Sequence, residues 1–144
     1  KLAGDENAEF AEEAVIALAG IGSSATPILT DIFVTTKNAR IQAAAAKSLG
    51  LVGVHTGDPN ITPPLLDYLN KNLEDMDESS DIDFPVLTAV VWSIAGLRNE
   101  KSVVPIEQLN SKIWLIRDNS EEMRKLRDAA NVATKMVDLD YQIM

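Results

Sequence analysis

Asn7-Ala8-x-Phe10-x-x-x-Ala14-x-x-x-Leu18-x-x-Ile21-Gly22 returns 31 residues later as Asn38-Ala39-x-Ile41-x-x-x-Ala45-x-x-x-Leu49-x-x-Val52-Gly53. A chain that repeats itself at this interval has copied one structural unit. Within each copy the apolar positions are four, four and three residues apart, which places them on one stripe of an α-helix. A single helix cannot bury its own stripe, so the copies bury theirs against one another and the chain grows by stacking helical units. Aromatic residues make up only 5% of the sequence, and alanine runs such as Ala43–Ala46 abound. That favours closely approaching helices over a sheet, and almost no strand is expected.

The punctuation agrees with this. After the first stripe, Gly22 is a candidate to close the helix, and Ser23 and Ser24 offer capping oxygens. Pro27 then opens a second helix carrying Ile28, Leu29, Ile32 and Phe33. The second unit repeats the order: Ile41 to Val52, Gly53, a loop from Val54 to Asn60, then Pro63-Pro64 and Leu65, Leu66 and Leu69. A third unit lies 45 residues beyond the second and sets Val86, Val90, Ile94 and Leu97 on Ile41, Ala45, Leu49 and Val52. Val103, Val104, Pro105, Ile106 and Leu109 follow as its second helix. A fourth first-type helix is predicted over about 120–138, with Leu126, Ala130, Ala133 and Val137 as its stripe and Glu121 and Glu122 at the positive end of its dipole. With no helix after it, this stripe is expected to be exposed. The units run over about 5–36, 38–76, 83–116 and 120–140 of a single 1–144 domain. Lys1 in place of methionine, and Leu2–Asp5 reading as the tail of an earlier helix, suggest a piece excised from a longer protein.

Composition sets further bounds. At 144 residues with 46% hydrophobic content, the chain can fill a core. It has no cysteine, hence no disulfide or thiolate metal site, and no compartment follows from that. No apolar run reaches the roughly 18 residues of a membrane span, and no signal peptide opens the chain. It reads as soluble, with a cytoplasmic placement preferred to export. The formal charge of −9 is uneven, because Glu74, Asp75, Asp77, Glu78, Asp81 and Asp83 crowd one stretch without a base. The remaining 16 acids against 13 bases are nearly balanced. Neither part attracts a nucleic-acid backbone.

The run Ile41-Gln42-Ala43-Ala44-Ala45-Ala46-Lys47-Ser48-Leu49-Gly50-Leu51-Val52-Gly53, followed by a proline-opened helix, resembles the HEAT-repeat family, above all its short bacterial form as found in phycobilisome-lyase-type repeat proteins. The arginine usual after the apolar residue is Gln42 here and Ala11 in the first unit, while Arg127 keeps it in the last. The resemblance implies an all-α, right-handed α-α superhelix of about three helix pairs plus one unpaired helix. It also implies a curved scaffold that displays its second helices on a concave surface and binds proteins there.

Asp31, Asp67 and Glu107 each lie just beyond the opening of a second-type helix. Stacked in register they form a ladder of carboxylates suited to a basic segment of a partner; taken singly they are ordinary solvated positions. The acidic stretch 74–83, with Ser79-Ser80 inside it, reads either as a solvated linker or as a docking or phosphorylation segment. A calcium loop is excluded, since Ser80 stands where glycine is needed and Val86 where a bidentate glutamate is needed. Trp92, one step off its stripe, and Tyr68, at the position of Ile32, are candidate partner contacts, though rings so placed also serve as packing between helices. The same choice applies to Trp114. His55 is the only histidine and sits in a predicted polar loop, so neither zinc nor histidine-based catalysis has a ligand set or a partner for it.

No catalytic, cofactor or metal residue is therefore assigned. The leading expectation is a non-catalytic scaffold for another protein, with self-association through exposed solenoid ends as a further interaction. The alternatives are a repeat-built lyase, or lyase subunit, acting on a tetrapyrrole-carrying protein, and a structural spacer in a longer solenoid. The di-iron hydroxylases that resemblance also brings to mind need more histidines than one. The nucleic-acid binders of the wider repeat class need a basic face where this chain has Asp31, Asp67 and Glu107.

Overall fold

The computed structural model describes residues 2–76, 82–116, 118 and 120–143. Its helices are α1 (Leu2–Leu18), α2 (Thr26–Thr35), α3 (Ala39–Thr56), α4 (Thr62–Asp75), α5 (Phe84–Leu97), α6 (Val103–Trp114) and α7 (Glu121–Ile143). Short 3-10 turns at Ala19–Ile21, Ser23–Ala25 and Glu100–Ser102 lead into the second helices. There is no strand among the described residues. The odd helices lie side by side in one layer, α1 on α3, α3 on α5 and α5 on α7. The even helices form a second layer, with α2 packed on α3, α4 on α5 and α6 on α7. The fold is an all-α, two-layer stack of helix pairs closed by an unpaired helix.

Local chemistry sets the helix ends. Asn38 Oδ1 accepts from Ile41 N at 3.1 Å and Asp83 Oδ1 from Val86 N at 3.0 Å, each satisfying an otherwise orphaned donor of a first turn. Pro27, Pro63 and Pro85 occupy first-turn positions, where a missing N–H costs nothing. Between the layers run Leu29, Phe33, Leu49, Leu65, Leu69, Val90, Ile94, Ile106 and Leu109, all essentially inaccessible.

Small residues hold the first layer tightly together. Ser48 Oγ donates to Val15 O at 3.2 Å, and 45 residues later Ser93 Oγ donates to Ala46 O at 2.8 Å. The same hydroxyl thus reaches the same carbonyl position of the preceding helix in two successive units. Gly50 lies against Ser93, and Gly53 against Leu97 and Ile61.

Several expectations need correction. Leu2–Asp5 is continuous with α1 and is no separate helix tail. Gly53 does not end its helix: α3 continues to Thr56 and stops at Gly57, whose φ of 69° closes it. Gly50 and Gly53 instead mark where α5 approaches. His55 accordingly stands in the last turn of α3, exposed, not in a loop. Ser23 and Ser24 form a 3-10 turn and neither caps α2. Among the α1 residues whose side chains are described, Val15 is buried and Leu18 packs on the core, while Phe10 and Ala14 of the predicted stripe, and Ile21 in the 3-10 turn that follows, are exposed. The equivalents in α3 are covered because α1 lies on them, whereas no described element lies on the side of α1 away from α3. At the other end the expectation is reversed, for Leu126, Ala130 and Ala133 of α7 are fully buried against the stack. The outward side of α7 over 121–136 is polar, with Glu121, Arg124, Lys125, Asp128, Asn131 and Lys135 exposed. Asp77, Glu78, Ser79, Ser80 and Asp81 lie outside the described residues.

Candidate functional site

The second layer carries the candidate acids. Asp31 in α2, Asp67 in α4 and Glu107 in α6 are all exposed. Each lines a groove. Asp31 stands with Thr30, Val34, Asp58 and Asn60 around a hollow of about 580 Å³. Asp67 lies in a groove of about 470 Å³ between α2 and α4, with Val34, Tyr68, Lys71, Asp75 and Asp83. Glu107 belongs to the groove of about 730 Å³ between α4 and α6, walled by Asn70, Glu74, Val104, Gln108, Ser111 and Lys112 over the floor of Leu73. The three carboxylates therefore share a layer but not a pocket.

Tyr68 is half-buried at the core edge, its ring tilted 57° to that of Phe33 with centroids 5.4 Å apart. Burial pushes its phenol up to about 12, and the negative charge of Asp83 adds to this against the hydrogen bond from Asn72. It keeps its proton through the physiological range and is a neutral hydrogen-bonding group on the wall of the α2–α4 groove.

Trp92 is not brought to this face. α5 packs between α3 and α7 with α4 against its inner side, and Trp92 occupies the remaining direction, 45% exposed on the outside of the first layer. Val91, Ser93 and Ile94 are the neighbours buried between the helices, and Trp92 is only partly covered. Trp114 is also out of the core at 70% exposure, beside Leu115 at 83%, where α6 ends. Asp83, read from the sequence as one member of an acidic run, serves as the cap of α5 and as an electrostatic neighbour of Tyr68. The sequence signal for that role was its position two residues before Pro85.

The family position after the apolar residue also gains a role. Gln42 Nε2 donates to Phe33 O at 3.2 Å, and an Arg127 terminal nitrogen donates to Ile116 O at 2.7 Å. Gln42 thus ties α3 to the last turn of α2, and Arg127 ties α7 to the chain two residues beyond the end of α6. This equivalence across the chain accompanies a family match, in which the model for HEAT repeats covers residues 1–80. The chain belongs to the HEAT-repeat family. No curated protein and no solved structure matches it, and the likeness to bilin lyases has no match of its own. Among the described residues of these HEAT repeats, no group of three or more metal-ligating side chains is gathered, and no helix is long and apolar enough to cross a membrane.

What this face can do follows from its donors and acceptors. Carboxylates on groove walls accept hydrogen bonds from lysine and arginine, and the grooves between HEAT helices offer apolar floor for the stems of such side chains.

Proposed function

We propose that the protein is a non-catalytic scaffold that binds another protein along the face of α2, α4 and α6, which the family resemblance makes the concave one. A basic segment of the partner lies across the helices and sets its lysine or arginine side chains into the grooves beside Asp31, Asp67 and Glu107. The observation that carries this reading is the placement of one exposed acid on the wall of a groove in each of three successive second helices. Tyr68, neutral and fixed against Phe33, supplies a rigid contact in the middle groove. The helices are ordered before the partner arrives, so binding need not supply their ordering entropy. Trp92 lies away from this segment and takes no part in its binding.

The test compares the wild type with the Asp31→Lys, Asp67→Lys, Glu107→Lys triple variant. Both are immobilised, and their capture of proteins from a native extract is read alongside titrations with a lysine- and arginine-rich peptide at two salt concentrations. Helicity by circular dichroism is expected to be unchanged. A partner and a salt-sensitive peptide affinity that the wild type has and the variant loses support the reading. Equal binding by both proteins refutes it.

A further inference from the structure

The hollow at the opening of α2 differs from the two grooves beyond it. Besides Asp31 it is lined by Thr26, which is only 4% exposed and whose Oγ1 has no hydrogen-bond partner. The hydroxyl stands in the first turn of α2, yet no side chain caps that helix. A polar atom shut away from solvent and bonded to nothing weakens the fold, and a ligand that bonds to it relieves this. A second acid on the wall is Asp58, from the turn that follows α3. Its Oδ1 accepts from Asn60 N at 3.0 Å, which fixes the carboxylate and leaves its other oxygen available. The same turn recurs one unit later, where Asn99 Oδ1 accepts from Lys101 N at 2.9 Å. There an amide stands in place of the acid and a lysine in place of Asn60, so of these two turns only the first is negative.

We propose that this hollow is a lysine seat. Resting on the function proposed above, it takes the primary ammonium of one lysine in the partner's basic segment, held by Asp31, Asp58 and Thr26 Oγ1, and it takes lysine in preference to arginine. The three acceptors come from three places in the chain: the first turn of α2, its second turn, and the loop after α3. An ammonium donates three bonds in diverging directions and meets such acceptors one by one, whereas the planar guanidinium fork matches both oxygens of a single carboxylate. Asp58, with Oδ1 already engaged by Asn60, offers one oxygen and not two. The lysine stem lies along Pro27 and Val34, exposed apolar residues of the same wall. Among the described residues, neither of the grooves at Asp67 and Glu107 is lined by an orphaned hydroxyl of this kind. A lysine seated here therefore fixes which part of the segment lies on α2.

Titration calorimetry of the whole chain with two peptides of equal length, one carrying lysine and the other arginine at every basic position, tests this. Asp58→Asn keeps the accepting oxygen of the turn, as Asn99 does in the next unit, and Thr26→Val replaces the hydroxyl by a methyl group of similar size. Each variant is expected to weaken the lysine peptide about fivefold or more and the arginine peptide less than about twofold, with helicity retained. Should Thr26→Val not fold, Asp58→Asn decides alone. An unchanged affinity for the lysine peptide overturns the proposal, as does an equal loss of both peptides. So does calcium chloride, titrated alone, giving a binding heat that Asp58→Asn abolishes, since the hollow is then a metal site. The Asp31→Lys, Asp67→Lys, Glu107→Lys variant separates this proposal from the broader one. If it loses both peptides while Asp58→Asn and Thr26→Val lose neither, the basic-segment face stands and the lysine seat falls. If the wild type binds neither peptide, both fall.

Discussion

Gly50→Ala is expected to destabilise the protein even though alanine is the better helix former. Gly50 lies inside α3, where the exchange by itself favours the helix by about 1 kcal/mol. Against this, a Cβ at Gly50 would stand 2.6 Å from Ser93 Oγ, 2.7 Å from Ser93 Cβ and 3.1 Å from the Ser93 Cα. The last is backbone, so the contact is not relieved by turning a side chain. α5 must move off α3, an overpacking cost of about 1–3 kcal/mol. The movement also strains the buried bond from Ser93 Oγ to Ala46 O, whose loss adds about 0.5–1.5 kcal/mol. The sum is a net loss near 2 kcal/mol, or a fall in Tm of about 4–8 °C for a chain of this size. The control is Gly20→Ala, because a Cβ there has nothing within 4 Å and φ is ordinary. It should be neutral or stabilising by about 0.4–1 kcal/mol through the unfolded chain. Thermal and urea melts followed by circular dichroism read both variants, and Ser93→Gly should recover part of the loss when combined with Gly50→Ala. Equal or higher stability of Gly50→Ala would refute the close-approach argument.

Asp83→Ala removes the cap of α5 and should cost about 0.5–2 kcal/mol in urea denaturation, whereas Asp83→Asn, which keeps an accepting oxygen, costs much less. Leu49→Ala, at a site with no solvent access, should cost about 2–5 kcal/mol in the same assay. Tyr68 in a Tyr141→Phe background should ionise near 12 instead of its ordinary 10, read by ultraviolet absorbance, and Asp83→Asn should bring the midpoint down. Since its pKa is raised in the fold, the stability linked to it is intact below about 10 and is lost as pH rises toward 12; Tyr68→Phe should flatten that decline.

The repeat period revealed the helix pairs because a copied stripe is a property of the chain alone. Which side of a stripe meets protein depends on neighbours, and there the sequence misled at both ends. Phe10, Ala14 and Ile21 match Ile41, Ala45 and Val52 residue for residue, yet only the second set has a helix laid on it. α7 shows the converse, for Leu126, Ala130 and Ala133 of its stripe are buried by the units before it, and its charged residues over 121–136 form the outer side. Gly53 looked like a helix end because glycine both stops helices and lets them touch, and only the position of Leu97 separates the two. The ladder of Asp31, Asp67 and Glu107 was legible as one acid per second helix. That Trp92 stands on the opposite layer was not, since a one-residue step on a helix turns a side chain by about 100°.

The two layers are unlike in packing. The first is pinned helix to helix by Ser48, Ser93 and the contact at Gly50, while the second is parted by open grooves. A strip built this way bends about its pinned side, as a book flexes about its spine, so the length of the first layer stays fixed while the grooves widen or narrow together. Anything wedged into one groove then changes the angle between the units on either side of it. The displacement grows with distance along the stack, and the ends of the molecule would register occupancy of a groove they never touch.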